Sequence, residues 1–548
     1  MTQSERKTLG IVAAPHHLAA QVGAEILRDG GNAFDAAVSV ALAIGVVQPY
    51  HSGIGGGCNI TFRTTNGETS HINARGPAPH RLERKLLLHQ DGTPNDRLAT
   101  MGGMASTIPS FVAGLSMLHE GRGQLPWRDL LMAPRRIALE GFPADFMLAN
   151  VYHSYNSAEK LTRYAGQSPL GQPIVEGQQI LQPQMAATLD AIAQNPRTVY
   201  EGEIGERLVA AIRQSGGVLS MDDLSNYRPE VTQLHNVSYG DWHILAPGLP
   251  TIGSLQTLLS LRILDQHDLS QISPGSIAHF HLIAEAVRAT YAARAQVESN
   301  EDAAKILDVI YAQKLAADIN LNGVTPSIFH QLDGRKQNVG EETCTSHFCV
   351  ADDQGNIVSQ TQTVRSYFGS GVIDSETGIV LNDSVGDFSL RPGEVTTQGI
   401  RYQGNYNLVG PGAEPASSQC PLIAIHPESG DVIAAGGAGG PRIVSATLQA
   451  LVNQISFGMD PRFAAIFPRV HSHGPVTDVE PNSGAAGRLS TLGHQVRALP
   501  ALGIMQTIRR RGDLWEGGAD PRGPGSAVVV QQEGSQITLR GYGQSTIL

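Results

Sequence analysis

ETCTSHFCVADDQGNIVSQTQTVRSYFGSG, residues 342–371, carries two threonines, Thr345 and Thr363, on what read as two adjacent strands. Cys344 stands directly before the first threonine and Arg365 just after the second. Taken alone, a threonine at a strand start is a β-former and nothing more. The question is why a strand pair in the middle of a long chain opens on Cys-Thr-Ser-His.

The rest of the chain limits the answers. At 548 residues the length exceeds what one small core needs, and it predicts either several domains or one large layered one. With 41% hydrophobic and 16% charged residues and 61 glycines, the composition is that of a compact enzyme rich in tight turns. A formal charge of −11 argues against a general partner role with nucleic acid or anionic membrane. Four scattered cysteines, Cys58, Cys344, Cys349 and Cys420, make no disulfide framework and no CxxC zinc pair, so no metal or other cofactor is expected and reduced thiols are the default. The N-terminus lacks a secretory apolar core, which implies a cytoplasmic protein; a trimmed chain would read equally as periplasmic. The longest apolar run, AAVSVALAIGVV at 36–47, is short of the roughly 20 residues that cross a bilayer.

Along the chain, HLAAQVGAEILRDGG has helical apolar spacing and stops on Gly30-Gly31, and Asn32 offers an N-cap to a second helix, FDAAVSVALAIGVV, apolar nearly all round. GIGGGCNITFR then runs from a glycine turn into a strand, and TTNGETSHINAR reads as a hairpin. Residues 125–340 read mostly as helix. From Thr345 the character changes to strands, HFCVAD, NIVSQTQTV, GIVLND, PLIAIH and DVIAAGG, before helix returns near 443–457. No boundary or linker separates the two halves, which favours one interleaved fold.

GxSxG, HExxH, GxxxxGK[ST] and a complete GxGxxG are all missing, so several common enzyme classes lose their sequence support. The glycine clusters at 55–57 and 436–440 offer backbone N–H groups to a phosphate or to an oxyanion.

CTSHFCVADDQGNIVSQTQT, followed in order by FGSG, LNDSVGDFS, PASSQCP, GGAGGPRIV and ADPRGPG, resembles the small subunit of the γ-glutamyltranspeptidase family, and DGGNAFDAAV, GIGGGC and NARGPAP resemble its large subunit. The resemblance implies an α/β (α+β) fold, a four-layer αββα sandwich of the N-terminal-nucleophile hydrolase type, made as one inactive chain that cuts itself. Residues 1–344 would form a helix-rich large subunit and 345–548 a strand-rich small subunit, both within one fold. Cleavage between Cys344 and Thr345 would free the α-amine of Thr345. With a pKa of about 7.7 to 8.0, that amine supplies the base that a threonine hydroxyl otherwise lacks.

By the same resemblance, Thr363 orients the nucleophile and Gly439 and Gly440 form the oxyanion hole. Arg75, Ser417 and Ser418 hold the substrate's α-carboxylate, and Asp387 accepts its α-ammonium. His347 is a structural histidine, because an N-terminal threonine brings its own base. The departures from the family lie on the amino-group side of the pocket: Arg365 where asparagine is usual, Ser384 for glutamine, and Gly76 for the glutamate after the matched arginine. If Thr363 faces the site, strand alternation carries Arg365 to the same face, against Asp387 or the substrate.

The implied activity is cleavage of γ-glutamyl amides, glutathione-like or other, through a γ-glutamyl-enzyme, with water or an amino-acid or peptide acceptor as second partner. An amidohydrolase of another short dicarboxylic or oxo-acid amide and a non-catalytic relative stay open as alternatives, as does a further homodimer.

Overall fold

The computed structural model describes residues 6–166, 168–326, 344–398 and 400–543. Its first helix, His17–Arg28, is followed by Gly30 at φ 94°, and Asn32 then caps helix Ala33–Val47. The cap is reciprocal: the Asn32 side chain accepts from the backbone of Phe34 and Asp35, and the Asp35 carboxylate accepts from the Asn32 N–H at 2.9 Å. Every residue of this helix except Gly45 is buried, as its apolar circumference predicts.

Two sheets stack face to face. The eight-stranded sheet runs, edge to edge, Gln536–Gly543, Ser526–Glu533, Arg6–Ala14, Ser346–Asp352, Ile357–Thr363, Gly57–Arg63, Thr69–Ala74, Glu230–Thr232. The six-stranded sheet runs Leu514–Ala519, Ile504–Arg511, Val432–Ala438, Leu422–Ile425, Trp242–Pro247, Leu234–Tyr239. Both sheets draw strands from each side of the Cys344–Thr345 bond.

The period-2 alternation of the strands sorts side chains into layers. Val12, Ala14, Phe348, Val350, Val358, Ile60 and Phe62 face the two N-terminal helices in one large core. Their neighbours Ile11, Ala13, Cys349, Ala351 and Ile357 face the second sheet, meeting Ile423, Val432, Ala434, Ile508 and Trp515. The far face of the second sheet packs Ile433, Ala435 and Leu422 against helices Ile252–Leu264, Ile277–Arg294 and Arg442–Ile455. The order helix, sheet, sheet, helix is the four-layer sandwich.

Three expectations need correction. The stretch read as helical holds strands Leu234–Tyr239 and Trp242–Pro247, which the second sheet requires as its edge; residues 327–340 of that stretch lie outside the described residues. GIVLND is not a strand: Leu381 donates to Val372 O at 3.0 Å while Asn382 and Asp383 donate to Gly55 O and Val364 O at 3.1 Å, so its backbone is shared among loops. The second site strand ends at Thr363, and Arg365 sits at φ 85°, outside any strand.

Among the described residues no helix is long and apolar enough to cross a membrane. The four cysteines are buried and form no disulfide.

The interior is rich in histidine. Burial lowers the imidazoles of His51, His71 and His347 to about 3, so they stay neutral in the folded state at mildly acidic pH. The unfolded chain would protonate them near 6.5, so it binds more protons than the folded chain between these values, and stability falls as pH falls through that window. We expect a loss approaching about 1.4 kcal/mol per pH unit for each such histidine below pH 6. Chemical denaturation at pH 7.5 and pH 5.5 checks this; equal stabilities at the two values would contradict it.

Candidate active site

Strand register builds the centre of the site. Strands Ser346–Asp352 and Ile357–Thr363 pair antiparallel with Gln362 opposite Ser346 and Thr361 opposite His347. One step further along the same register brings Thr363 opposite Thr345, on the face toward the second sheet. The two hydroxyls lie 3.3 Å apart. Both address one atom: Thr363 Oγ1 donates to the carbonyl oxygen of Cys344 at 2.8 Å, and Thr345 Oγ1 is in hydrogen-bond contact with the same oxygen. The loop after Thr363 fixes the arrangement, with Arg365 N donating to Thr363 Oγ1 at 2.8 Å and Cys344 N donating to Arg365 O at 3.0 Å. The peptide between Cys344 and Thr345 is thereby pinned on both sides.

His347 points into the space between the sheets. Its Nδ1 meets Thr361 Oγ1 at 2.8 Å and its Nε2 meets Cys349 Sγ at 3.3 Å. It is neutral, as given above, and bonds to neither Thr345 nor Thr363.

The glycine cluster at 55–57 is a packing device. A Cβ on Gly56 would come within 2.2 Å of Thr363 O, and Gly56 O accepts from Ser110 N at 2.9 Å. The backbone of Thr363 thus lies directly against this run, which leaves no room for a phosphate. In the second cluster Gly436 makes room for the ring of His347, whereas Gly439 and Gly440 turn through φ 121° and 57°.

A small cavity opens on the threonine pair, lined by Arg75, Thr345, Thr363, Arg365, Asp387 and Ser418 together with Cys344, Gln398, Ser417, Gln419, Gly440 and Ile443. Of the residues expected from sequence, Ser384 and Gly439 do not line it. Ser384 Oγ instead accepts from Arg75 Nη1 at 3.1 Å.

With the geometry in place, comparison with known proteins is decisive. The family model described as gamma-glutamyltranspeptidase matches residues 19–530. The chain belongs to the γ-glutamyltranspeptidase family. The chain is 30% identical over 533 residues to the glutathione hydrolase proenzyme of Escherichia coli (strain K12), covering 94% of this chain and 91% of that one. The fold is similar to that of the cephalosporin acylase of Bacillus halodurans, with TM-score 0.82 at 24% identity over 100% of this chain and 97% of the other. The γ-glutamyltranspeptidase of Helicobacter pylori aligns at TM-score 0.55 and 26% identity, over 60% of this chain and 95% of that one.

In this γ-glutamyltranspeptidase-family enzyme an ion-pair ladder reaches the cavity at Arg75, Arg365 and Asp387. Arg75 Nη2 pairs with Asp387 Oδ2, Arg365 Nε donates to Asp387 Oδ1 at 2.7 Å, Arg365 Nη1 donates to Asp383 Oδ2 at 3.0 Å, and Lys160 Nζ stands 3.5 Å from the same oxygen. Burial opposes ionisation of Asp383, but Lys160, Arg365 and the Ser366 hydroxyl outweigh it and hold the carboxyl below its usual range. Strand alternation gave the wrong reason for Arg365. Its positive φ, not a strand, turns the guanidinium onto Asp387.

Sequence reading missed Gln398, which donates to Asp387 Oδ1 at 2.9 Å, and the supports Lys160 and Asp383. Asp383 lies within the LNDSVGDFS motif, and an acid two residues after a buried apolar run was the available signal. Lys160 had none. Elsewhere His281, Glu285 and His494 approach within 4.8 Å, but they bond to one another and to their surroundings: His281 Nδ1 meets His494 Nε2 at 2.8 Å, and Glu285 accepts from Arg288 at 2.6 Å and from Thr325 N at 2.9 Å.

Because Gly56 meets backbone and not a movable side chain, Gly56→Ala must displace Thr363. We expect a destabilisation of about 1 to 3 kcal/mol, read as a lowered denaturation midpoint. An unchanged midpoint would show that this contact is not tight.

Proposed function

We propose that the protein cuts its own Cys344–Thr345 bond and then uses Thr345 as an N-terminal nucleophile on γ-glutamyl amides, glutathione among them, passing the γ-glutamyl group to water or to an amine. The observation that carries this reading is the convergence of the two threonine hydroxyls on the Cys344 carbonyl.

In the uncut chain Thr345 Oγ1 adds to the Cys344 carbonyl carbon, and its proton passes to the departing amide nitrogen. The Thr363 hydroxyl, already donating to the carbonyl oxygen, stabilises the charge that develops there. The resulting ester is hydrolysed, leaving a Cys344 carboxylate and a free α-amine on Thr345. The chains are then 1–344 and 345–548. The name proenzyme carried by the Escherichia coli relative supports such maturation.

In turnover the α-amine takes the Thr345 hydroxyl proton as the oxygen attacks the γ-carbonyl, and it returns that proton to the leaving amine. Backbone N–H groups at Gly439 and Gly440 face the tetrahedral oxyanion. Water or an acceptor amine then attacks the γ-glutamyl ester and regenerates the hydroxyl. Arg75, Ser417 and Ser418 take the α-carboxylate, and Asp387 takes the α-ammonium. The buried thiols, joined by no disulfide, suit a reducing cytoplasm.

Arg365 modulates the last of these contacts. A carboxylate offers about four lone-pair sites, and Asp387 already accepts from Arg75, Arg365 and Gln398. An incoming ammonium competes with two guanidinium groups for what remains. The enzyme therefore accepts simple γ-glutamyl amides poorly.

Two outcomes test the proposal. Thr345→Ala should remain one full-length inactive chain, whereas the parent protein shows two bands on a denaturing gel and a fragment beginning at Thr345; any other N-terminus refutes the cleavage. Arg365→Asn keeps a residue that tolerates positive φ and frees Asp387. It should raise the kcat/KM of a simple γ-glutamyl amide about tenfold over that of the parent protein, roughly 1.4 kcal/mol. A kcat/KM that moves less than about twofold would place Arg365 outside recognition.

A further inference from the structure

Arg294 closes helix Ile277–Arg294 and is 2% exposed. Its partners are all neutral. Nη1 donates to Gln256 Oε1 at 2.9 Å and more weakly to Ser418 Oγ at 3.4 Å, Nη2 donates to the Tyr402 hydroxyl, and Nε has no partner. Two aromatic rings flank it, with the guanidinium carbon 5.0 Å from the Tyr402 centroid and 5.9 Å from that of Tyr291. Among the described residues no carboxylate forms an ion pair with it.

That sets it apart from the other cations at the cavity. Arg75 is matched by Asp387, and Arg365 by Asp383 and Asp387. A buried guanidinium without a counter-charge is costly, and here only dipoles and ring faces offset it. Its position tells what would neutralise it. Ser418, to which it donates, lines the cavity.

A guanidinium has donors only. A hydroxyl that it contacts must accept, and the hydroxyl proton is then left to point elsewhere. For Ser418 that direction includes the cavity. We infer that Arg294 is a positioning residue for the donor's α-carboxylate: it turns the Ser418 hydroxyl into a donor aimed at the substrate and supplies beside it a buried positive charge with which, among the described residues, no carboxylate pairs. This rests on the γ-glutamyl reading above and extends it to a residue outside the cavity wall. Lys160, Arg365 and Arg75 against Asp383 and Asp387 leave one excess positive charge, and Arg294 adds a second beside Ser418.

The test compares ligands that differ only in the α-carboxylate, using the processed two-chain protein. The kinetic pair is a γ-glutamyl anilide and the corresponding 4-aminobutyryl anilide; the binding pair, followed by calorimetry, is L-glutamate and 4-aminobutyrate. Arg294→Gln should raise KM for the γ-glutamyl anilide about tenfold or more with kcat within about threefold, and should leave kcat/KM for the 4-aminobutyryl anilide unchanged. Arg294→Lys should recover most of the loss. Ser418→Ala keeps the charge and removes the relay, so it should show the same substrate-selective loss even if Arg294→Gln fails to mature. Equal losses on both anilides, or a lysine variant no better than glutamine, would overturn the inference and leave the γ-glutamyl activity standing. A parent protein that turns over no γ-glutamyl anilide yet binds L-glutamate in preference to 4-aminobutyrate would refute the activity and keep the inference. A parent protein that shows neither the turnover nor the preference would overturn both.

Discussion

One pairing register governs the site. With Gln362 opposite Ser346, Thr363 falls opposite Thr345, and both hydroxyls meet at the Cys344 carbonyl. A slip of one residue would turn Thr345 from the inter-sheet face to the helix face, where Ser346 now donates to Gln48 at 3.2 Å and Gln362 to Ala41 O at 3.0 Å. That slip is opposed along the whole strand pair, because Phe348, Val350 and Val358 would leave the helix-side core together.

The layer between the sheets changes character along its length. Away from the site it is apolar, built on Ile11, Cys349, Ile423 and Ile508. Toward the site it turns polar: Asn59 donates to Gln419 at 2.5 Å, Thr61 to Pro421 O at 2.8 Å, and His347 meets Thr361 at 2.8 Å. Buried polar groups cost free energy unless paired, and here the Asn59 and Thr61 pairings also tie the first sheet to the chain leading into the second. The polar layer therefore orients the site from beneath, and the neutral His347 belongs to it and not to the chemistry.

Charge organises the ladder that reaches the cavity. From Lys160 through Asp383, Arg365 and Asp387 to Arg75, cations and carboxylates alternate at bonding distance. Such a chain fixes Arg365 at a backbone conformation that a non-glycine residue ordinarily avoids. The same contacts engage Asp387 with two guanidinium groups. Arg294 stands outside the chain, with its charge uncancelled.

The sequence alone determined the local features. Asn32 was legible as a helix start, the apolar circumference of FDAAVSVALAIGVV as a buried helix, and the alternation in HFCVAD and NIVSQTQTV as paired strands, since each depends only on neighbours a few residues apart. The motif order gave the family, and with it the candidate residues around Thr345. Tertiary structure decided what depends on distant partners. GIVLND is apolar enough for a strand, yet its N–H groups go to Val372, Gly55 and Val364. Arg365 reaches Asp387 because of a positive φ that no composition reveals, and Lys160 comes to Asp383 across a separation that carries no periodic signal. The isolation of Arg294 is likewise invisible in the chain, because the absence of a counter-charge is a property of everything folded around a residue, and only the packed interior sets it.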